Sequence, residues 1–112
     1  MFDRDSPLLM LMVETVEKIE TFTNSIHSVE EFEKDVKVFD ACLMNFIVVG
    51  ELVVRLSPDF IEKHKDIEWY KIRAFRNFAA HDYFGIDAEK VWQIIQTNLP
   101  ELKIKLRQIT GI

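Results

Sequence analysis

An all-α, up-and-down bundle of four or five helices is the fold this sequence predicts, and three observations predict it. Apolar residues recur at spacings of three and four along most of the chain, the period of a helix with one buried face. Only three glycines and three prolines punctuate 112 residues, too few for a turn-rich β fold. No segment alternates apolar and polar residues at period two for long. The length makes one domain, residues 1–112, because a second would lack chain for its own core. A composition of 48% hydrophobic residues with nine phenylalanines supplies the material to fill that core.

Taken in order, Leu9, Met12, Val13, Val16, Ile19 and Phe22 define the first buried stripe. Its helix is expected to open at Ser6-Pro7, with the serine as cap and the proline in the first helical position. Ser28-Val29-Glu30-Glu31 has the form of a capping box. Phe32, Val36, Phe39, Leu43, Phe46, Ile47, Leu52, Val53 and Leu56 then carry one stripe, read as a single long helix in which Gly50 marks a close contact or a bend. Ser57-Pro58-Asp59 ends it and opens a short helical turn through Phe60 and Ile61. Asp66 is expected to cap the next helix, which has Trp69, Ile72, Phe75 and Phe78 as its apolar positions and carries Arg76. The chain turns at Tyr83-Phe84-Gly85, where a glycine free to adopt positive φ suits a turn. Asp87 caps a last helix with Val91, Trp92, Ile94, Ile95 and Leu99, which Pro100 kinks or restarts.

Several classes of protein are excluded at this level. No apolar stretch reaches the roughly 18 residues of a membrane span. The start lacks a basic region, and its short apolar run ends at Glu14, so a signal peptide is not expected and the chain is placed in the cytoplasm. The single Cys42 precludes an internal disulfide and, set in Ala41-Cys42-Leu43-Met44, reads as a small buried thiol. A net charge of −5 is unlike the basic footprint of most polyanion binders. Its distribution is uneven, however. Acid is dense over residues 30–40, whereas Lys63, His64, Lys65, Lys71, Arg73 and Arg76 cluster further on. A second basic group, Lys103, Lys105 and Arg107, reads as a solvated helix face.

Within the first cluster stands the densest concentration of chemistry in the chain, Arg76-Asn77-Phe78-Ala79-Ala80-His81-Asp82-Tyr83. Arginine offers phosphate oxygens a rigid fork of donors. Histidine can take and give a proton near neutral pH. Five residues along an ideal helix rotate about 500°, leaving Arg76 and His81 about 140° apart. Either the helix ends around Ala80 and turns His81 back, or the arginine reaches across the helix end. Asn77 can bond the substrate or hold that end. Tyr83 can orient a phosphate or His81, or stack on a base. Arg73 joins Asn77 and Tyr83 as a candidate substrate contact. His27, His64 and Tyr70 lack such neighbours and read as structural, and no metal-ligand cluster stands out.

This spacing resembles the Arg-x4-His motif of HEPN-domain ribonucleases, in the Arg-x4-His-x-Tyr form of the HepT-like toxin family. Ile67-Glu68-Trp69, Asp87 with Val91-Trp92, and Leu99-Pro100-Glu101-Leu102 are similar to the same family, as are Phe32 with Asp35, Asp40-Ala41, and Gly50-Glu51 followed by Arg55-Leu56-Ser57. The likeness spans residues 8–106, with Leu52 standing where the family often has alanine. It implies a small bundle that pairs into a homodimer, with two motifs facing across a cleft. It further implies a metal-independent, cofactor-free endoribonuclease with Arg76 and His81 as catalytic residues, the toxin of a type VII-like toxin–antitoxin pair. The antitoxin would be a minimal nucleotidyltransferase that silences it by transferring AMP to Tyr83. Trp69, Phe75 and Phe78 are candidate interface or core anchors.

The chemistry is self-consistent, since a base on the 2′-hydroxyl of RNA and an acid on the leaving 5′-oxygen suffice to give a 2′,3′-cyclic phosphate. One motif histidine per chain for two proton transfers fits either a dimer or a histidine used twice. The rival is a non-catalytic HEPN partner or substrate-binding subunit of a nucleotidyltransferase. A purely structural helical dimer would leave the clustering of Arg76, Asn77, His81 and Tyr83 unexplained.

Overall fold

The computed structural model describes residues 4–111. They form α1 (Asp5–Thr23), α2 (Val29–Lys34), α3 (Val36–Arg55), α4 (Pro58–Lys63), α5 (Trp69–His81), a 3-10 turn (Tyr83–Gly85), α6 (Ala88–Gln93), a π turn (Ile94–Asn98) and α7 (Leu99–Thr110). No strand occurs among the described residues, so the fold is all-α. α1, α3, α5 and the continuous segment from α6 through α7 make the bundle; α2 and α4 are short connectors. α3 packs against α1 and α5, and α7 lies on α1. Met12, Val16 and Ile19 of α1, Val49 of α3, and Val91 and Leu106 meet in the core, with Phe32 buried among them.

Helix boundaries follow the expected caps where the capping side chain is local. Ser28 accepts a hydrogen bond from the Glu31 amide (3.2 Å), and the Glu31 carboxylate reaches back to the His27 amide (3.0 Å). Ser57 caps α4 through the Phe60 amide at 3.2 Å, with Pro58 in the first turn. Asp87 accepts from the Glu89 amide at 3.0 Å and opens α6. Pro100 falls in the first turn of α7, immediately after the helix widens into the π turn, as a residue without an N–H allows. Gly111, at φ 77°, closes α7 in the left-handed region.

Three boundaries differ from expectation. α1 begins at Asp5 rather than at Ser6-Pro7, and the Asp5 carboxylate accepts from the Ser57 amide (2.9 Å) and hydroxyl (2.7 Å), tying the first turn of α1 to the start of α4 across 52 positions. The stripe from Phe32 to Leu56 belongs to two helices. Asp35, at φ −92° and ψ 85°, ends α2, and its carboxylate accepts from the Val38 amide at 3.1 Å to start α3. The apolar period survives this corner because Phe32 and Phe39 still pack edge to face, 5.6 Å apart. α5 starts at Trp69, three residues beyond Asp66. The Trp69 indole donates to the His64 carbonyl at 3.0 Å and its ring packs on Phe60.

The C-terminal basic group is not a solvated face. Lys103 pairs with Glu20 at 2.8 Å and Arg107 with Glu17 at 2.5 Å, joining α7 to α1. Cys42 is buried, and burial pushes its thiol up to about 12. No helix among the described residues is long and apolar enough to cross a membrane.

Candidate functional site

α5 runs antiparallel to α3, because the later contact along the motif falls earlier on α3, at Asp40 for Tyr83 against Gly50 and Glu51 for Arg76. Arg76 meets Gly50 and Glu51, Phe75 packs edge to face on Phe46 at 5.2 Å, and beyond the helix Tyr83 reaches Asp40. The close approach depends on Gly50. A Cβ there would lie 2.2 Å from Arg76 Cβ and 2.5 Å from its Cγ. One residue on, the Glu51 carboxylate accepts from Arg76 Nη1 at 2.5 Å, a charge-assisted bond to a side chain only 24% exposed. The remaining face of α5 carries Arg73 and Asn77, both exposed.

The helix does not end at Ala80. It runs through His81 and closes by the Asp82 amide donating to the Phe78 carbonyl at 2.9 Å. The end is therefore held by backbone, without Asn77. The rotation of about 140° stands, with Arg76 turned onto α3 and His81 exposed at the helix terminus. Tyr83 opens the 3-10 turn that follows. Its hydroxyl donates to Asp40 Oδ1 at 2.5 Å, which holds the phenol above its ordinary pKa, and its ring packs against Phe39 and Phe84. Phe84 itself is 98% exposed. Gly85 does not behave as expected, and its one close neighbour is the mobile end of the exposed Asp82 side chain. It does not take positive φ; a Cβ there would meet the Asp82 carboxylate at 2.4 Å.

Asp40, Met44, Ile47, Glu51 and Val54 fall within an arc of about 80° on α3. Asp40 and Glu51 are thus on one face, about 16 Å apart along the axis, and each holds one motif side chain. Between and beside them Met44, Val48 and Val54 are exposed, as is Phe78 on α5. Trp69 is core, Phe75 is half-buried, and only Phe78 of the three candidate anchors faces solvent. A hollow of about 360 Å³ between Phe46, Ile72, Phe75 and Leu99 is lined by none of Arg76, His81 or Tyr83, so the candidate site is a surface. Of the upstream basic cluster, Lys65 and Lys71 pair with Glu62 and Glu68, both at 3.0 Å, and the His64 ring packs on Phe60. Among the described residues no group of three or more His, Cys, Asp and Glu is arranged to hold a metal ion.

An all-α bundle whose motif helix ends in an exposed histidine, with an arginine and a tyrosine tied to a neighbouring helix, defines a small helical domain whose candidate site lies on its surface. Comparison with known proteins is specific. The family described as Ribonuclease HepT-like matches residues 12–109, and the chain belongs to that family. A Methanocaldococcus jannaschii protein named "Putative RNase" is 35% identical over 104 residues, covering 89% of this chain and 85% of its own. "Probable ribonuclease HepT" of Thermococcus cleftensis is 31% identical over 98 residues, 88% of each chain. A "Putative RNase" of Caldanaerobacter subterraneus subsp. tengcongensis is 33% identical over 82 residues, 73% of each. No solved structure matches.

Asp40 and Glu51 are the residues that reading the motif alone missed. Both lie in pairs, Asp40-Ala41 and Gly50-Glu51, that carry the family resemblance, but nothing in their spacing says that they meet Tyr83 and Arg76.

Proposed function

We propose that this protein is a metal-independent endoribonuclease, a single HEPN domain acting in the cytoplasm as the toxin of a type VII-like toxin–antitoxin pair. The observation that carries the proposal is the ribonuclease HepT-like match over residues 12–109, in a chain that keeps Arg76, His81 and Tyr83 around one helix end. His81 moves protons to and from the 2′-hydroxyl and the leaving 5′-oxygen, and Arg76 carries the charge that develops on the non-bridging phosphate oxygens. Arg73 and Asn77, exposed on the same helix, contact the RNA backbone. One motif histidine per chain and two proton transfers favour a homodimer in which two motifs share a cleft, and exposed Met44, Val48 and Phe78 supply apolar surface for it.

RNA incubated with the purified protein in EDTA is expected to be cut to 2′,3′-cyclic phosphate ends. Arg76→Ala should lower the rate by about 10²–10³-fold, the cost of removing one preorganised donor, and His81→Ala should abolish cleavage. Cleavage lost in EDTA and restored by magnesium, or undiminished in His81→Ala, would overturn the mechanism.

In the same proposal Tyr83 receives inhibitory AMP from a cognate nucleotidyltransferase antitoxin. Its position in an exposed turn after α5 favours access to the hydroxyl, and the added bulk and negative charge beside the motif would repel RNA. Mass spectrometry after co-expression should find added AMP on the Tyr83 peptide; modification confined to Tyr70 would refute the assignment. The rival, a non-catalytic partner of that enzyme, draws on the fact that Arg76 already has a carboxylate partner. RNA bound but left intact by the unmodified dimer would favour it.

A further inference from the structure

We infer that Glu51 is the positioning residue for Arg76, holding the guanidinium at Nη1 so that the remaining Nη donors are presented to a phosphate oxygen. The inference rests on the ribonuclease reading above. A lone arginine on a helix surface samples many rotamers, and a substrate that binds it must fix them at an entropic cost. Here two consecutive residues of α3 have already done so. Gly50 leaves the space that the Cβ and Cγ of Arg76 occupy, so the stem has one path off α5. Glu51 then accepts from Nη1 at 2.5 Å, which fixes the head.

This pair differs from an ordinary surface ion pair in two ways. Its partners are 25 positions apart and sit on different helices, so it is no accident of neighbouring turns. The arginine is also mostly buried while the carboxylate is half exposed, at 24% and 52%. Solvent therefore screens the interaction less than it would a fully exposed pair. A guanidinium has five N–H donors; one bonds Glu51 and the Nε hydrogen is buried without a partner, which leaves the three others on the two Nη atoms for a phosphate. Preorganised donors that need no rearrangement as charge develops are what phosphoryl chemistry rewards. The opposite role is chemically possible, because a carboxylate beside a phosphate site repels RNA. The sign of the effect on cleavage separates the two.

The test compares kcat and KM on one single-stranded RNA for the natural chain, Glu51→Ala, Glu51→Gln, Arg76→Ala and the two double variants, with thermal unfolding of each. Glu51→Ala is expected to lower kcat about ten- to hundredfold with KM little changed. Glu51→Gln, whose amide oxygen still accepts a hydrogen bond, should recover most of that loss. Neither substitution should lower the rate further once Arg76 is alanine, since residues acting through one another are not additive. Should Glu51→Ala fail to fold, the smaller loss in Glu51→Gln and its disappearance in the Arg76→Ala background carry the same test. Unchanged or faster cleavage by the Glu51 variants, or losses that simply add to that of Arg76→Ala, would overturn the proposal alone. A natural chain that cuts no RNA would overturn the ribonuclease reading and this proposal with it.

Discussion

The Tyr83 hydroxyl donates a hydrogen bond to Asp40 at 2.5 Å, and that contact sets a measurable titration. The hydrogen bond favours the neutral phenol, so the folded pKa lies above the unfolded one. Its contribution to stability is therefore complete below the ordinary phenol pKa and is lost as pH rises through the raised value. In a Tyr70→Phe background, leaving Tyr83 as the single tyrosine, Asp40→Ala should bring the tyrosinate absorbance change to lower pH and flatten the alkaline loss of stability. An unmoved titration would show that Asp40 does not hold the phenol. The side chains of this site were legible as chemical types, because arginine, histidine and tyrosine within eight residues are informative on their own. Their partners were not. The chain has 19 acidic residues, and spacing cannot say which of them a helix packed across the bundle will bring to Arg76 or Tyr83. Cys42 needed no such knowledge, because its apolar neighbours in sequence already place it inside.

Among the helices, the contact of α5 with α3 is the one on which the site depends, and Gly50 is its narrowest point. Alanine is the better helix former by about 1 kcal/mol, so Gly50→Ala would stabilise an isolated α3. In the bundle its Cβ would lie 2.2 Å from Arg76 Cβ, too near the backbone of α5 for a rotamer change to relieve. Overpacking of this kind costs about 1–3 kcal/mol, and α5 must move away from α3. A lower melting temperature together with slower RNA cleavage is the expected outcome. A variant more stable than the natural chain would show that the helices have room to spare. The same dependence on packing explains which helix ends the sequence revealed. Ser28, Ser57 and Asp87 cap through amides two or three residues away, which a sequence pattern contains. The starts of α1 and α5 carry no side-chain cap and are held instead by Asp5 on Ser57 and by the Trp69 indole on the His64 carbonyl. The first of these contacts closes only when distant segments have met. At Asp35 the pattern misled, because a one-residue corner leaves both flanking phenylalanines facing the core.

For the whole molecule, the same face of α3 that holds Arg76 and Tyr83 is unusual in its apolar content. Single exposed hydrophobic residues are normal on any protein, but Met44, Val48 and Val54 flank Glu51 on one helix and Phe78 lies one turn below His81 on the next. Burying such a face against its own copy removes the apolar surface from water and brings a second His81 toward the first motif. A two-fold axis would achieve both with one contact, since it presents the same patch twice. The proposed homodimer therefore predicts that assembly and cleavage fail together. Val48→Glu places a charge beside that face, at a position that is exposed and is not a member of the Arg76–Glu51 pair. Sedimentation at micromolar concentration should give a dimer for the natural chain and a folded monomer for Val48→Glu. The monomer should not cut RNA, and it should regain activity at concentrations high enough to restore the dimer. A Val48→Glu monomer that cuts RNA as fast as the natural chain would place the whole reaction within one copy, with His81 acting as base and then as acid.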